Sequence, residues 1–185
     1  MARFTQDPLL GIARIVLWVL LVVIAVAAVG CVLGLIAVPI IWFNQAAIAA
    51  HIDGDLPPGA IAQLAPAVAL LLTGALAMLA CLWRVIVQLM RIVDTVGEGD
   101  PFVPVNARRL TQMAWLSLAI QIVSIPMAAA GVWIARVVDK AGAHADVDVD
   151  VGINANSLLL VLILFILARV FRKGAAMRAD LEGMV

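Results

Sequence analysis

The sequence predicts an all-α integral membrane protein: four transmembrane helices, N-in and C-in, arranged as two consecutive helical hairpins that form a bundle. Three observations carry this expectation. The 185-residue chain is 65% hydrophobic and 13% charged, with mean hydropathy +1.15, whereas soluble domains are about half apolar and a quarter charged. Four stretches without a charged residue each reach the roughly 18 residues that a spanning helix needs. Of the twelve Lys and Arg residues, ten fall on one side of these stretches and two on the other.

The first stretch runs from Ile15 to Phe43, 29 residues. As helix it is roughly 43 Å long, which exceeds a hydrocarbon core of about 30 Å, so it must tilt, kink or protrude. Its span is placed at about 12–43, followed by an outer loop over 44–63. The second stretch is Leu64 to Trp83, and beyond it Arg84, Gln88, Arg91 and Thr95 recur at helical spacing while Val85, Ile92 and Val93 fill other faces. The second span therefore covers about 64–96, until Gly97 and Gly99 break it.

A cytoplasmic loop over 97–106 contains Pro101 and Pro104, which push the residues before them into extended or turn conformations. Asn106 suits the N-cap of the third span (107–135), with Arg108 and Arg109 anchoring it at the headgroups. Within that span Ser117, Gln121, Ser124, Ala128 and Gly131 share one helical face, and Pro126 beside them should kink the helix. The stripe reads as an interhelical seam or as a polar lining for a small ligand. After an outer loop over 136–152, the fourth span occupies about 153–172. In the tail, 173–185, apolar and basic residues alternate in a way that suits a short helix along the inner surface.

Orientation follows from charge. Arg3, Arg14, Arg84, Arg91, Arg108, Arg109, Arg169, Arg172, Lys173 and Arg178 belong in the cytoplasm by the positive-inside rule, leaving Arg136 and Lys140 outside with six aspartates. Both termini are then cytoplasmic. The five tryptophans agree: Trp18, Trp83 and Trp115 lie near inner ends, Trp42 and Trp133 near outer ends, where indole rings prefer the headgroup level. Arg3 and Arg14 before an apolar run, with Cys31 after Ala28-Val29-Gly30, also resemble a lipoprotein signal. The apolar run continues well past Cys31, which favours a retained span.

Small residues mark close helix approach in lipid. Gly30 and Gly34 stand at GxxxG spacing in the first span, suited equally to an internal contact or to a homo-oligomer, and Thr73, Ala77 and Cys81 repeat that step in the second. No ionisable residue lies in the middle of any span, which disfavours a proton-coupled carrier. No phosphate-binding glycine loop, Ser/His/Asp set or HExxH occurs either, so the chain is expected not to be an enzyme and to need no cofactor. The outer loops carry two H-x-D-x-D patterns, His51, Asp53, Asp55 and His144, Asp146, Asp148. Their alternation would put imidazole and carboxylate groups on one face of an extended segment, as a divalent cation requires, although Asp53-Gly54-Asp55 before Pro57-Pro58 reads first as a turn.

The stretch Glu98-Gly99-Asp100-Pro101-Phe102-Val103-Pro104-Val105-Asn106-Ala107-Arg108-Arg109-Leu110 resembles the signature G-x-P-F-x-x-x-N-x-x-R-L of a bacterial four-helix membrane family, domain of unknown function 2975. Phe171-Arg172-Lys173-Gly174 and the acidic Asp180-Leu181-Glu182 near the end are similar to the family's F-x-x-G and terminal acidic cluster, with Met184 where Thr is usual. The resemblance spans nearly the whole length. Genes of this family often adjoin one for a small helix-turn-helix regulator, so the resemblance implies a cytoplasmic transcriptional partner. The chain itself shows no nucleic-acid motif. Pro101, Phe102, Asn106, Arg108, Arg109, Phe171 and Gly174 are then the candidate partner-binding residues. Two functional classes follow: a membrane sensor or tether for that regulator, and a binding or passive transport module for a small ligand or divalent metal.

Overall fold

The computed structural model describes residues 8–45, 47, 60–140 and 155–182. They form four helices: α1 (Pro8–Phe43), α2 (Ala60–Gly97), α3 (Pro104–Lys140) and α4 (Ala155–Glu182). Each contains an apolar window long enough to cross a membrane, and at most 11% of any such window is buried by protein. The large hydrophobic side chains left exposed along the helices are mostly Leu, Ile, Val and Trp, a surface suited to lipid.

The helices outrun the expected spans because an apolar window measures the hydrocarbon core, while backbone hydrogen bonding continues until something stops it. α2 begins at Ala60, within the expected outer loop, and α3 begins at Pro104, within the expected inner one. α4 continues unbroken to Glu182, so the residues expected to form a separate surface helix are the last turns of the fourth span's own helix. α3 is likewise continuous through Pro126. α1 ends where the Asn44 side chain and backbone N–H both donate to the Ile40 carbonyl, at 2.9 and 3.1 Å, satisfying a group that a helix end leaves open.

The chain divides into two compact units. One takes the described residues of Met1–Ala25, Ala80–Gln121 and Asn154–Val185. Here Leu17, Leu21 and Ile24 are the buried face of α1, and Ile92, Leu110, Met113 and Ala168 form a core from α2, α3 and α4, flanked by Val85, Leu164 and Phe171. The Trp115 indole meets Phe165 edge-on, with centroids 5.6 Å apart and planes at 85°, a favourable quadrupole arrangement.

The other unit takes the described residues of Val26–Leu79 and Ile122–Ile153. Small residues set its packing, though not all of the expected ones do. A Cβ on Gly34 would lie 3.1 Å from Leu72 Cδ1, so α1 and α2 approach closely there, while Gly30 has open space around it. On α2 the close approach is at Gly74, where a Cβ would stand 2.6 Å from Met127 Cγ of α3. Thr73 and Ala77, expected at the contact, are exposed. The Thr73 hydroxyl donates to the Ala69 carbonyl at 2.7 Å within its own helix, so it needs no partner across a seam.

Candidate functional site

The polar structure of the first unit is concentrated where α2 turns into α3. The end of α2 follows a Schellman pattern: Gly99 N–H donates to the Val96 carbonyl at 3.0 Å, and Asp100 N–H to the Thr95 carbonyl at 3.2 Å. That closure needs a left-handed residue, and Gly99 supplies it with φ of 87°. Pro104 then opens α3 at the first helical position, where a missing N–H costs nothing.

Asn106 is therefore not the expected N-cap. It lies inside the first turn of α3, its backbone N–H donating to the Val103 carbonyl at 2.9 Å. Asn106 has no exposed surface and is the one buried polar residue among the described residues. Its Nδ2 donates to Thr95 Oγ1 at 2.8 Å and to the Pro101 carbonyl at 3.0 Å, and its Oδ1 accepts from Arg109 Nη1 at 2.9 Å. One carboxamide thus joins the end of α2, the turn and the start of α3. Thr95 Oγ1 in turn donates to the Ile92 carbonyl at 2.8 Å.

Arg109, expected at the headgroups, is half-buried and bonds within the protein. Its Nη1 also donates to the Arg91 carbonyl at 2.9 Å, and one helical turn further along, Gln88 Nε2 donates to Gln112 Oε1 at 2.6 Å. The pairs Thr95–Asn106, Arg91–Arg109 and Gln88–Gln112 descend α2 as they ascend α3, the register of two antiparallel helices. The ladder leads to an open groove of about 490 Å³ lined by Arg84, Gln88, Arg91, Gln112 and Trp115 among others. Guanidinium, amide and indole groups can hold water or an anion there. None of them serves as a nucleophile or as a general base near neutral pH.

The turn closes onto α4 through Phe102. Its ring lies 5.4 Å from that of Phe171, inclined at 44°. A Cβ on Gly174 would stand 2.7 Å from Phe102 Cδ1, so the ring occupies the space that glycine leaves open. Phe171 and Gly174 are three residues apart and share a helical face, which gives the F-x-x-G spacing a physical reason. Asp100 pairs with Arg178 of α4, and Arg14 Nη1 of α1 lies 3.8 Å from Asp94 Oδ1 of α2.

Six of the seven candidate partner residues, Pro101, Phe102, Asn106, Arg109, Phe171 and Gly174, thus meet at one corner, mostly as groups that build it. Arg108 is exposed and lines a different groove, between α3 and α4. Thr95, Asp100 and Arg178 complete the corner and were not among the candidates. The helical recurrence of Arg84, Gln88, Arg91 and Thr95 was the available signal for Thr95. The stripe Ser117, Gln121, Ser124, Ala128 and Gly131 is partly buried along its length, and Gln121 and Ser124 are both engaged with partners. His51, Asp53, Asp55, His144, Asp146 and Asp148 lie outside the described residues. Among the described residues, no three His, Cys, Asp or Glu side chains gather as a metal would require.

No curated protein and no solved structure matches the chain. A family model described as "Protein of unknown function (DUF2975)" matches residues 55–185. The match takes in the α2–α3 turn and the Phe171–Gly174 face, and it leaves α1 outside. The chain, matched over more than half of its length, belongs to this family of proteins of unknown function.

Proposed function

We propose that this chain is a non-enzymatic, multi-pass protein of the bacterial cytoplasmic membrane, with both termini inside and two helical hairpins, that tethers a cytoplasmic regulator of the helix-turn-helix kind. The observation that carries the reading is a pinned corner that keeps apolar groups outward. Asn106, Gly99 and the Phe102–Gly174 contact fix the turn, yet Phe102 is 41% exposed and Val105 46%. Met177 and Leu181 extend the Gly174 face of α4 by helical spacing and are 54% and 63% exposed. Rigidly held apolar groups set among charges are what a protein partner recognises. Family membership supports the same corner, because the signature residues are the ones that build it.

The test is a photo-crosslinking residue at Val105 or at Leu181 in intact cells. A DNA-binding protein of the cytoplasm should be captured from both positions, and Met177→Asp with Leu181→Asp should abolish capture while leaving the membrane level of the protein unchanged. Capture of lipid alone, or of another copy of this chain alone, refutes the tether.

A further inference from the structure

The face between α3 and α4 carries a second arrangement, independent of the tether reading. A groove of about 400 Å³ is lined by Ala107, Ala175, Ala176 and Ala179 together with Arg108 and Arg172. A second groove of about 350 Å³ takes in Thr111, Phe165, Ile166 and Arg169, and shares Arg172 with the first. Ala107 and Thr111 are successive turns of α3, joined by the Thr111 hydroxyl donating to the Ala107 carbonyl at 2.9 Å. The two grooves are thus consecutive parts of one furrow, basic around Arg172 and apolar at Phe165 and Ile166.

Charge identifies the occupant. Arg108, Arg169 and Arg172 are exposed, neither groove is lined by an acidic residue, and none of the three pairs with a carboxylate among the described residues. Arg169 and Arg172 are three residues apart on α4, a like-charge spacing whose mild repulsion a bound anion relieves. Seven residues separate Phe165 from Arg172, roughly 10 Å of helix, the distance from a phosphate down into the upper acyl chain. A soluble anion would satisfy the guanidinium groups and leave the apolar part of the furrow empty.

We propose that this furrow is a binding site for one anionic phospholipid, with its phosphodiester held by Arg172, Arg108 and Arg169 and an acyl chain lying along Phe165 and Ile166. Arginine suits the headgroup because its planar fork makes paired hydrogen bonds to phosphate oxygens. Basic clefts between transmembrane helices favour anionic headgroups for this reason.

The full chain, purified in a neutral detergent, is titrated with phosphatidylglycerol or phosphatidylcholine and followed by native mass spectrometry. One phosphatidylglycerol should be retained about tenfold more tightly than phosphatidylcholine, whose phosphodiester is the same but whose quaternary ammonium sets a further cation beside the three arginines. Arg108→Gln with Arg172→Gln should remove that preference. Arg14→Gln with Lys173→Gln, the same loss of charge at residues that line neither groove, should leave it intact, and excess inorganic phosphate should not displace the lipid. Equal retention of both lipids by the unaltered protein overturns the site without reference to any variant. So does equal loss from the two double variants, which marks general attraction to the basic end. Displacement by phosphate marks a soluble-anion site, and a dimer that excludes lipid from Arg172 marks a protein contact.

Discussion

A carboxamide with no exposed surface must find its hydrogen bonds in protein, because water cannot reach it. Asn106 does so with partners 11 and 5 residues before it and 3 after it. Asn106→Ala leaves the Pro101 carbonyl and one Arg109 donor short of a partner, so it is expected to destabilise the protein by about 1–3 kcal/mol. Thr95→Val keeps the shape and leaves one Nδ2 hydrogen of Asn106 without an acceptor, one broken bond to Asn106 where Asn106→Ala breaks all of them, and should cost less, about 1 kcal/mol. Thermal unfolding in detergent checks both; equal loss from the two variants would mean that Asn106 is no hub. The sequence pointed to Asn106 for the wrong reason. An Asn beside a helix start is a good cap in local terms, whereas the bond to Thr95 depends on α2 and α3 lying antiparallel, which no local preference encodes. Pro104 was the better local marker of where α3 begins.

Among the helices, α4 shows most clearly what hydropathy reads and what it leaves unread. The apolar run to Ala168 locates the membrane-length part, and Gly97 with Gly99 locates the end of α2, because both signals are local. The continuation of α4 to Glu182 was not legible, since its last turns are basic and mixed and their helical state is supported by Phe102, Asp100 and the alanine contacts with α3. Gly174 in mid-helix looks like a breaker until the Phe102 ring is placed against it. Gly174→Ala should improve helix propensity by roughly 1 kcal/mol, yet its Cβ would meet Phe102 Cδ1 at 2.7 Å. Displacing a packed ring costs about 1–3 kcal/mol, so net destabilisation is expected. In a Phe102→Ala background the ring is gone and the same substitution should become neutral or stabilising. A double-mutant cycle on thermal unfolding measures the difference, and strict additivity would exclude the contact.

For the molecule as a whole, the division of basic charge recurs in three dimensions. Nine of the ten residues on the rich side, Arg14, Arg84, Arg91, Arg108, Arg109, Arg169, Arg172, Lys173 and Arg178, belong to the unit that holds the α2–α3 turn, with Arg3 outside the described residues; Arg136 belongs to the other unit. Their roles then separate. Arg109 and Arg178 are tied into the protein by Asn106, the Arg91 carbonyl and Asp100, while Arg108, Arg169 and Arg172 stay exposed. Charges of either kind resist translocation during insertion, because each Arg at mid-membrane costs about 2.5–3.5 kcal/mol on insertion scales. Both reporters of sidedness should therefore agree. A fluorescent protein fused after Val185 should fluoresce in bacterial cells and alkaline phosphatase at the same point should be inactive, whereas phosphatase fused in the segment following Lys140 should be active. The reverse pattern would put the pinned corner on the far side of the membrane from any cytoplasmic regulator and would end the tether reading. It would leave the lipid furrow standing, since anionic headgroups line either surface.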